Sequence, residues 1–324
     1  MTVPPTIEMR PDASRRPIAV ADAIPQSRKT ARVSRSLAGG TLGDYVVLTK
    51  PEITFLVVLS ALAGFVIGSP VGFDGLALGF TLIGVALSSA GAGALNHYLE
   101  RDRDLAMKRT LNRPLPAGRM PATHARNVGL VLSAAGLGVL CPLVNPLTAI
   151  LAALSMALYL FVYTPMKSKT WLNTLVGTIP GALPAIGGYT AATNSLSGWG
   201  AWLIFGILLC WQMPHFLALA WMYRKDYGRG GFAMLPVIDS DGLATAALAL
   251  AFTAATVAFS LALASDPSMG TTYLVIAVLS GAFFLRPAVR FWRTRTNLDA
   301  RRLLKSSVMY IPVLVFSIVL DRMI

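Results

Sequence analysis

An all-α, polytopic membrane bundle of nine transmembrane helices is the fold this sequence predicts. Three observations predict it. The first is composition: 55% of the residues are hydrophobic, only 13% are charged, and the mean hydropathy is +0.61. Soluble domains carry about 25% charged residues. The second is a succession of apolar runs from residue 52 onward, each near the ~20 residues needed to cross a bilayer. The third is charge placement: if the runs cross alternately, 27 of the 28 Lys and Arg fall on one side.

Residues 1–40 are rich in Pro, Ser, Arg and Ala, carry six Arg and one Lys, and have no apolar core. A segment that can bury so little reads as a disordered basic tail. It lacks the h-region of a secretory signal, and Glu8, Asp12 and Asp22 weigh against a mitochondrial presequence, which is poor in acids. Residues 41–324 read as a single domain.

The nine apolar runs are 52–69, 75–98, 124–142, 146–163, 171–191, 198–222, 243–264, 270–286 and 306–321. Lys50-Pro51-Glu52 opens the first; Pro suits the first helical turn and Glu the positive end of the helix dipole. The fifth holds Pro180, Gly181, Pro184, Gly187 and Gly188. That predicts a kinked helix that admits a neighbouring helix or a ligand at close range. The positive-inside rule then places the N-terminus in the cytoplasm and the C-terminus outside. The loops after the second, fourth and sixth runs hold most of the remaining polar residues, so a polar site belongs at the cytoplasmic end.

The net charge of +13 is accounted for by that cytoplasmic side, which removes the reason to read a nucleic-acid binder. Cys141 and Cys210 lie inside apolar runs and offer neither a disulfide framework nor metal-ligand spacing. With only His97, His124 and His215, and no HxxxH or CxxC, a zinc site is not expected.

The densest polar stretch is 96–118, NHYLERDRDLAMKRTLNRPLPAG. Asn96, Glu100 and Asp104 recur at i, i+4 and i+8, which puts their oxygens on nearly one helix face. Two carboxylates so stacked repel unless a cation lies between them. Neighbouring arginines would serve, as would a divalent ion such as Mg²⁺, which takes oxygen ligands shared with substrate phosphates. Arg109 and Arg113 offer planar two-pronged pairing to phosphate; a charged helix end at the membrane surface explains the same residues. Asp102, Arg101 and Arg103 fall off the triad's face and read as solvated.

Tyr163-Thr164-Pro165-Met166-Lys167 closes the fourth run, with Lys167 either a phosphate ligand or an interfacial anchor. Tyr223-Arg224-Lys225-Asp226-Tyr227 follows the sixth. Asp226 there completes a metal site or pairs with Lys225 or Arg229 on the surface. His215 lies inside an apolar run, where an ionisable group marks function by default.

These strings resemble the UbiA-type intramembrane prenyltransferases, and within them the haem-directed branch, the haem O synthases. The resemblance rests on DYVVLTKPEIT, NHYLERDRDLAMKRTLNRPLPAG, YTPMKSKTWLNTLVGTIPGALPAIGG and PHFLALAWMYRKDYGRGGFAMLPV, and runs from about residue 44 to the end. It implies nine helices, Mg²⁺ as cofactor, and farnesyl diphosphate and haem B as substrates. The implied reaction adds farnesyl and water across a vinyl group to give haem O, a precursor of haem A. It also implies the bacterial inner membrane as location and haem A synthase as a partner.

Carried over by residue, the first aspartate-rich motif falls on Asn96, Glu100 and Asp104, with Glu100 where the family usually has Asp. The Tyr-x-x-x-Lys element falls on Tyr163 and Lys167. The second motif keeps only Asp226, with Met222 at its first position. The resemblance thus implies Asn96, Glu100, Asp104 and Asp226 as metal ligands, with Arg109 and Lys167 acting on the leaving group. Lys50, Arg113, Tyr163, His215 and Lys225 are the expected substrate contacts. Three other readings compete: a transporter, a quinone- or chlorophyll-directed prenyltransferase, and a haem-binding assembly factor without catalysis, against which Asn96, Glu100 and Asp104 argue. A transporter would show internal repeats and mid-membrane charge. A quinone-directed prenyltransferase shares the diphosphate chemistry but not the PHFLALA and MLPV strings.

Overall fold

The computed structural model describes residues 40–323 apart from residues 70, 71, 73 and 268. The basic tail expected over 1–40 therefore lies, but for Gly40, outside the described residues. A short helix, α1 (Leu42–Thr49), is followed by α2 (Pro51–Gly68), α3 (Gly75–Asp104) and α4 (Ala122–Leu143). Next come α5 (Pro146–Met166), α6 (Asn173–Thr193) and α7 (Trp199–Met222). Two short helices, α8 (Arg224–Arg229) and α9 (Leu235–Ile238), precede α10 (Leu243–Leu263), α11 (Thr271–Thr294) and α12 (Asn297–Met323).

Every one of the nine predicted runs is a helix among the described residues. Eight are long and apolar enough to span a membrane. The difference is α6, which has 21 residues but is diluted by Thr, Gly and Pro. The physical reason is its position: α6 packs on α2 and lines the cavity described below, so it trades apolar bulk for close approach. At Gly64 of α2 an added Cβ would overlap the Ala185 carbonyl, and at Gly188 of α6 one would overlap the Ala61 carbonyl. Two backbones in direct contact are the usual result of small residues facing each other in a membrane.

The main packing pairs are α3 with α4, α2 with α6, α7 with α10, and α11 with α12. Helix α7 is the most enclosed of the spans. Ile204, Ile207, Leu208 and Trp211 are buried along it, against Phe284, Tyr310 and Leu314 of α11 and α12.

Helix alternation gathers α1 and the segments after α3, α5, α7 and α11 at one end of the bundle, and this is the basic end. Helix α3 has 30 residues, which at 1.5 Å per residue is about 45 Å. The hydrocarbon core is ~30 Å thick, so the last turns of α3 carry 96–104 to the basic end. Thr41 caps α1 in a reciprocal capping box with Asp44, a device contributing roughly 1 kcal/mol. The Asp44 carboxylate also pairs with Arg119 at 2.8 Å, which ties the segment after α3 to α1. Burial works against this carboxylate, but the Thr41 N–H and Arg119 hold it below its ordinary value.

Candidate active site

The i, i+4, i+8 spacing does on α3 what a 3.6-residue period dictates: Asn96, Glu100 and Asp104 project side by side. They are buried, with relative exposures of 0%, 6% and 0%, and all three line a cavity of about 270 Å³. A different cation meets each. Lys50 Nζ donates to Asn96 Oδ1 at 2.6 Å. Lys167 Nζ donates to Glu100 Oε1 at 2.6 Å. Arg113 Nη1 donates to Asp104 Oδ2 at 2.8 Å.

The second Asp104 oxygen, Oδ1, is buried with no hydrogen-bond partner among the described residues. A buried carboxylate oxygen left unpaired is costly, and it asks for a cation. The donor set is two carboxylates and one amide, all oxygen, which suits a hard ion such as Mg²⁺ completing its shell with water and phosphate oxygens. The residues present therefore fit the ion.

Local structure explains how the cations arrive. Lys50 is at once the cap that follows α1 and the residue before Pro51. Its backbone is left-handed, with φ 49°. A non-glycine residue there costs roughly 1–3 kcal/mol and persists only where its surroundings hold it. Here Asn96 and the Tyr159 hydroxyl, 3.4 Å from Nζ, hold the ammonium. Burial, then the nearby Arg113 charge, brings this lysine down to about 7 against the pull of Glu100. Burial would lower Lys167 as well, but the Glu100 carboxylate in contact with it carries it above the ordinary lysine value.

Before Lys167, α5 widens into a π-helical turn over Leu158–Tyr163. Pro165 has no N–H to continue the ordinary ladder. The Thr164 N–H instead reaches five residues back to the Tyr159 carbonyl, which also accepts from Thr164 Oγ1 at 2.8 Å. Such turns recur at functional sites. This one stacks Tyr159 and Tyr163, with centroids 5.6 Å apart, on the cavity wall. Lys167 Nζ sits 4.5 Å from the Tyr163 ring centre.

Arg109 closes the basic end. It lies over the rings of Tyr223 and Tyr227, 5.6 Å from each, and lines the cavity with Tyr227 and Phe232. Deeper in, the lining turns apolar: Val57, Val85, Ala92, Leu151, Ala152, Leu183 and Pro184 are among it. The chamber is thus cationic and oxygen-rich at one end and greasy along its length.

The structure brings together Lys50, Asn96, Glu100, Asp104, Arg109, Arg113, Tyr163 and Lys167 of the expected set. It does not bring Asp226, Lys225 or His215 to the cavity wall. Asp226 forms an ion pair with Arg229 one turn on, and Tyr227 takes the inward position on α8. Lys225 is exposed. His215 turns toward α12, where its Nδ1 lies 2.9 Å from Ser307 Oγ. One residue along a helix is a turn of about 100°, and the neighbouring Phe216 faces the cavity instead. Arg103, expected to be solvated, is exposed while also reaching the Gly231 carbonyl at 3.3 Å and lying over Phe232. Arg101 and Asp102 do form an exposed pair at 3.4 Å.

The sequence profile of the UbiA prenyltransferase family matches residues 57–311, which reaches into every long helix but leaves out α1 and Lys50. The chain belongs to that family.

Among relatives of this UbiA-family chain, a protoheme IX farnesyltransferase of Salinibacter ruber is 56% identical over 280 residues, covering 86% of this chain and 99% of its own. Another, from Solibacter usitatus, is 43% identical over 288 residues, covering 86% and 98%. A solved UbiA homolog from Archaeoglobus fulgidus, bound to GPP and Mg²⁺, shares the fold. Its TM-score is 0.58 at 15% identity, over 85% of this chain and 99% of that one.

Among the lining residues of this UbiA-family site that sequence reasoning missed are Tyr159, Gln212, Tyr227 and Phe232. Tyr159 had a signal, since it stands four residues before Tyr163. Gln212, a lone amide in an apolar run, had one too: it is 7% exposed, and its Nε2 donates to the Thr178 carbonyl at 3.1 Å. Tyr227 and Phe232 had none, because their inward direction is set by how the segment after α7 folds over the basic end.

Proposed function

We propose that this chain transfers the farnesyl group of farnesyl diphosphate to a vinyl group of haem B, with addition of water, giving haem O and diphosphate. The observation that carries the reading is the row of three cation-held oxygen ligands, with an unpaired Asp104 oxygen, at the mouth of an apolar chamber. That is the shape of a lipid diphosphate's requirements. The protoheme IX farnesyltransferase relatives support the acceptor, and the fold relative bound to GPP and Mg²⁺ supports the donor class.

Asn96, Glu100 and Asp104 would hold Mg²⁺, which when bound supplies charge to the diphosphate oxygens. Arg113, Lys167, Lys50 and Arg109 orient the diphosphate and neutralise the charge that grows on it as the allylic C–O bond breaks. The apolar wall keeps water from the allylic cation, and the Tyr159 and Tyr163 faces stabilise it. The vinyl terminus then forms the new C–C bond. The cation left on the haem side takes a hydroxyl from water, which releases one proton. Asp226, Lys225 and His215 have no role in this scheme.

The test is mass spectrometry of haems extracted from cells making this protein. Haem B gaining one farnesyl and one hydroxyl group is the expected product. Haem B unchanged, with a prenylated aromatic acid in its place, would overturn the assignment.

We further place the protein in a bacterial inner membrane, with the basic end cytoplasmic and haem A synthase as the protein that takes its product. The charge partition supports this orientation. A phosphatase that is active only outside, fused after residue 324, is expected to be active. An inactive phosphatase paired with a fluorescent cytoplasmic reporter at the same position would reverse the topology.

A further inference from the structure

Among the described residues, Gly187 of α6 is the one buried glycine whose missing side chain would meet nothing: a Cβ built there has no heavy atom within 4 Å. Its neighbours on α6 differ. An added Cβ would strike the Tyr163 ring at Gly177, the Gln212 amide at Gly181 and the Ala61 carbonyl at Gly188. Empty space at a buried position has to be cavity, and Gly187 is part of the cavity lining. Its backbone is fixed from behind, because its carbonyl accepts from Thr190 Oγ1 at 3.0 Å and Thr148 Oγ1 at 3.4 Å.

Gly187 also stands at the far end of the chamber. It lies ten residues up α6 from Gly177, which touches Tyr163, so about 15 Å further from the basic end. On α3 the lining continues past Asn96 to Val85, about 16 Å further by the same rise. Val85, Thr148, Leu151 and Gly187 together form this end.

We infer that Gly187 sets the length of the prenyl chain the chamber accepts: its bare backbone leaves the room that the last isoprene unit of a fifteen-carbon tail fills. The inference rests on the reading of the cavity as a prenyl diphosphate site. A Cβ at this position meets no atom within 4 Å, so a side chain here starts out into the chamber and shortens it. A leucine adds four carbons, close to one isoprene unit.

The test uses the full-length protein with haem B and an equimolar mixture of geranyl, farnesyl and geranylgeranyl diphosphates, with products separated by mass. Gly187→Leu is expected to lower the farnesyl-to-geranyl product ratio at least about tenfold, the scale of one or more methylenes in an apolar pocket. Gly187→Ala should fall between. A ratio unchanged from the unaltered protein, or both products falling by one factor, overturns the inference.

A second measurement needs no acceptor. Thermal stabilisation by farnesyl diphosphate should exceed that by geranyl diphosphate in the unaltered protein, and the order should reverse in Gly187→Leu. If the unaltered protein makes no prenylated haem, the acceptor reading fails alone. If the stabilisation order does not change, the role of Gly187 fails alone.

Discussion

Asp104→Asn is expected to cut haem O formation on the order of 10²–10³-fold, the loss typical when one preorganised electrostatic contact to a developing charge is removed. The substitution keeps shape and removes charge. It leaves Arg113 without its anion, but that side chain is 20% exposed and keeps partial hydration, so insertion and folding should survive. Two explanations of the buried carboxylate can be separated here. If Asp104 serves only to hold Arg113, then Asp104→Asn, Arg113→Met and the double variant should lose the same activity, because one interaction is being removed three ways. If it also holds the ion, the Mg²⁺ concentration for half-maximal rate should rise in Asp104→Asn and stay put in Arg113→Met. Normal turnover in Asp104→Asn would sink the metal-site proposal altogether.

Lys167→Met is expected to do damage of two kinds. Lys167 and Glu100 are a buried pair, with side-chain exposures of 12% and 8%. Removing one partner of such a pair strands the other charge, which costs about 3–5 kcal/mol. The unfolding transition in detergent should therefore fall well below that of the unaltered protein. Pairing the change with Glu100→Gln removes both charges, so most of the stability should return while activity stays lost. Activity returning together with stability would show that Lys167 serves the fold and not the diphosphate. A single variant as stable as the unaltered protein would mean the pair is not held in the interior.

Much of this molecule was legible in sequence because the relevant physics is local. The long helices follow from run length, the end of the bundle that carries the polar groups from charge, and the shared face of Asn96, Glu100 and Asp104 from the 3.6-residue period. Of the two readings of that face, the arginine-paired one is seen at one Asp104 oxygen, and the metal-binding one stays a proposal that rests on the other. Asp104 Oδ2 takes Arg113, and Asp104 Oδ1 is unpaired.

What could not be read was rotation and distance. Helix α7 is apolar on every side, so its pattern does not announce which face looks inward. The sequence singled out His215, and the rotation of the helix puts the neighbouring Phe216 on the cavity wall instead. For Asp226 the pattern left two partners open, a metal or a neighbouring cation, and the fold gives it Arg229 one turn away.

By itself, then, the sequence determined that this is an all-helical membrane protein with its polar chemistry on α3 at the basic end, since apolar length, charge bias and helical period act within one segment. Only the tertiary structure decided the rest. It matched Lys50 with Asn96, 46 residues apart, and Lys167 with Glu100, 67 apart. It turned a π-helical turn and a glycine on neighbouring helices into the near and far walls of one chamber. Those outcomes depend on how helices rotate and approach when their side chains interlock, and no single segment encodes that.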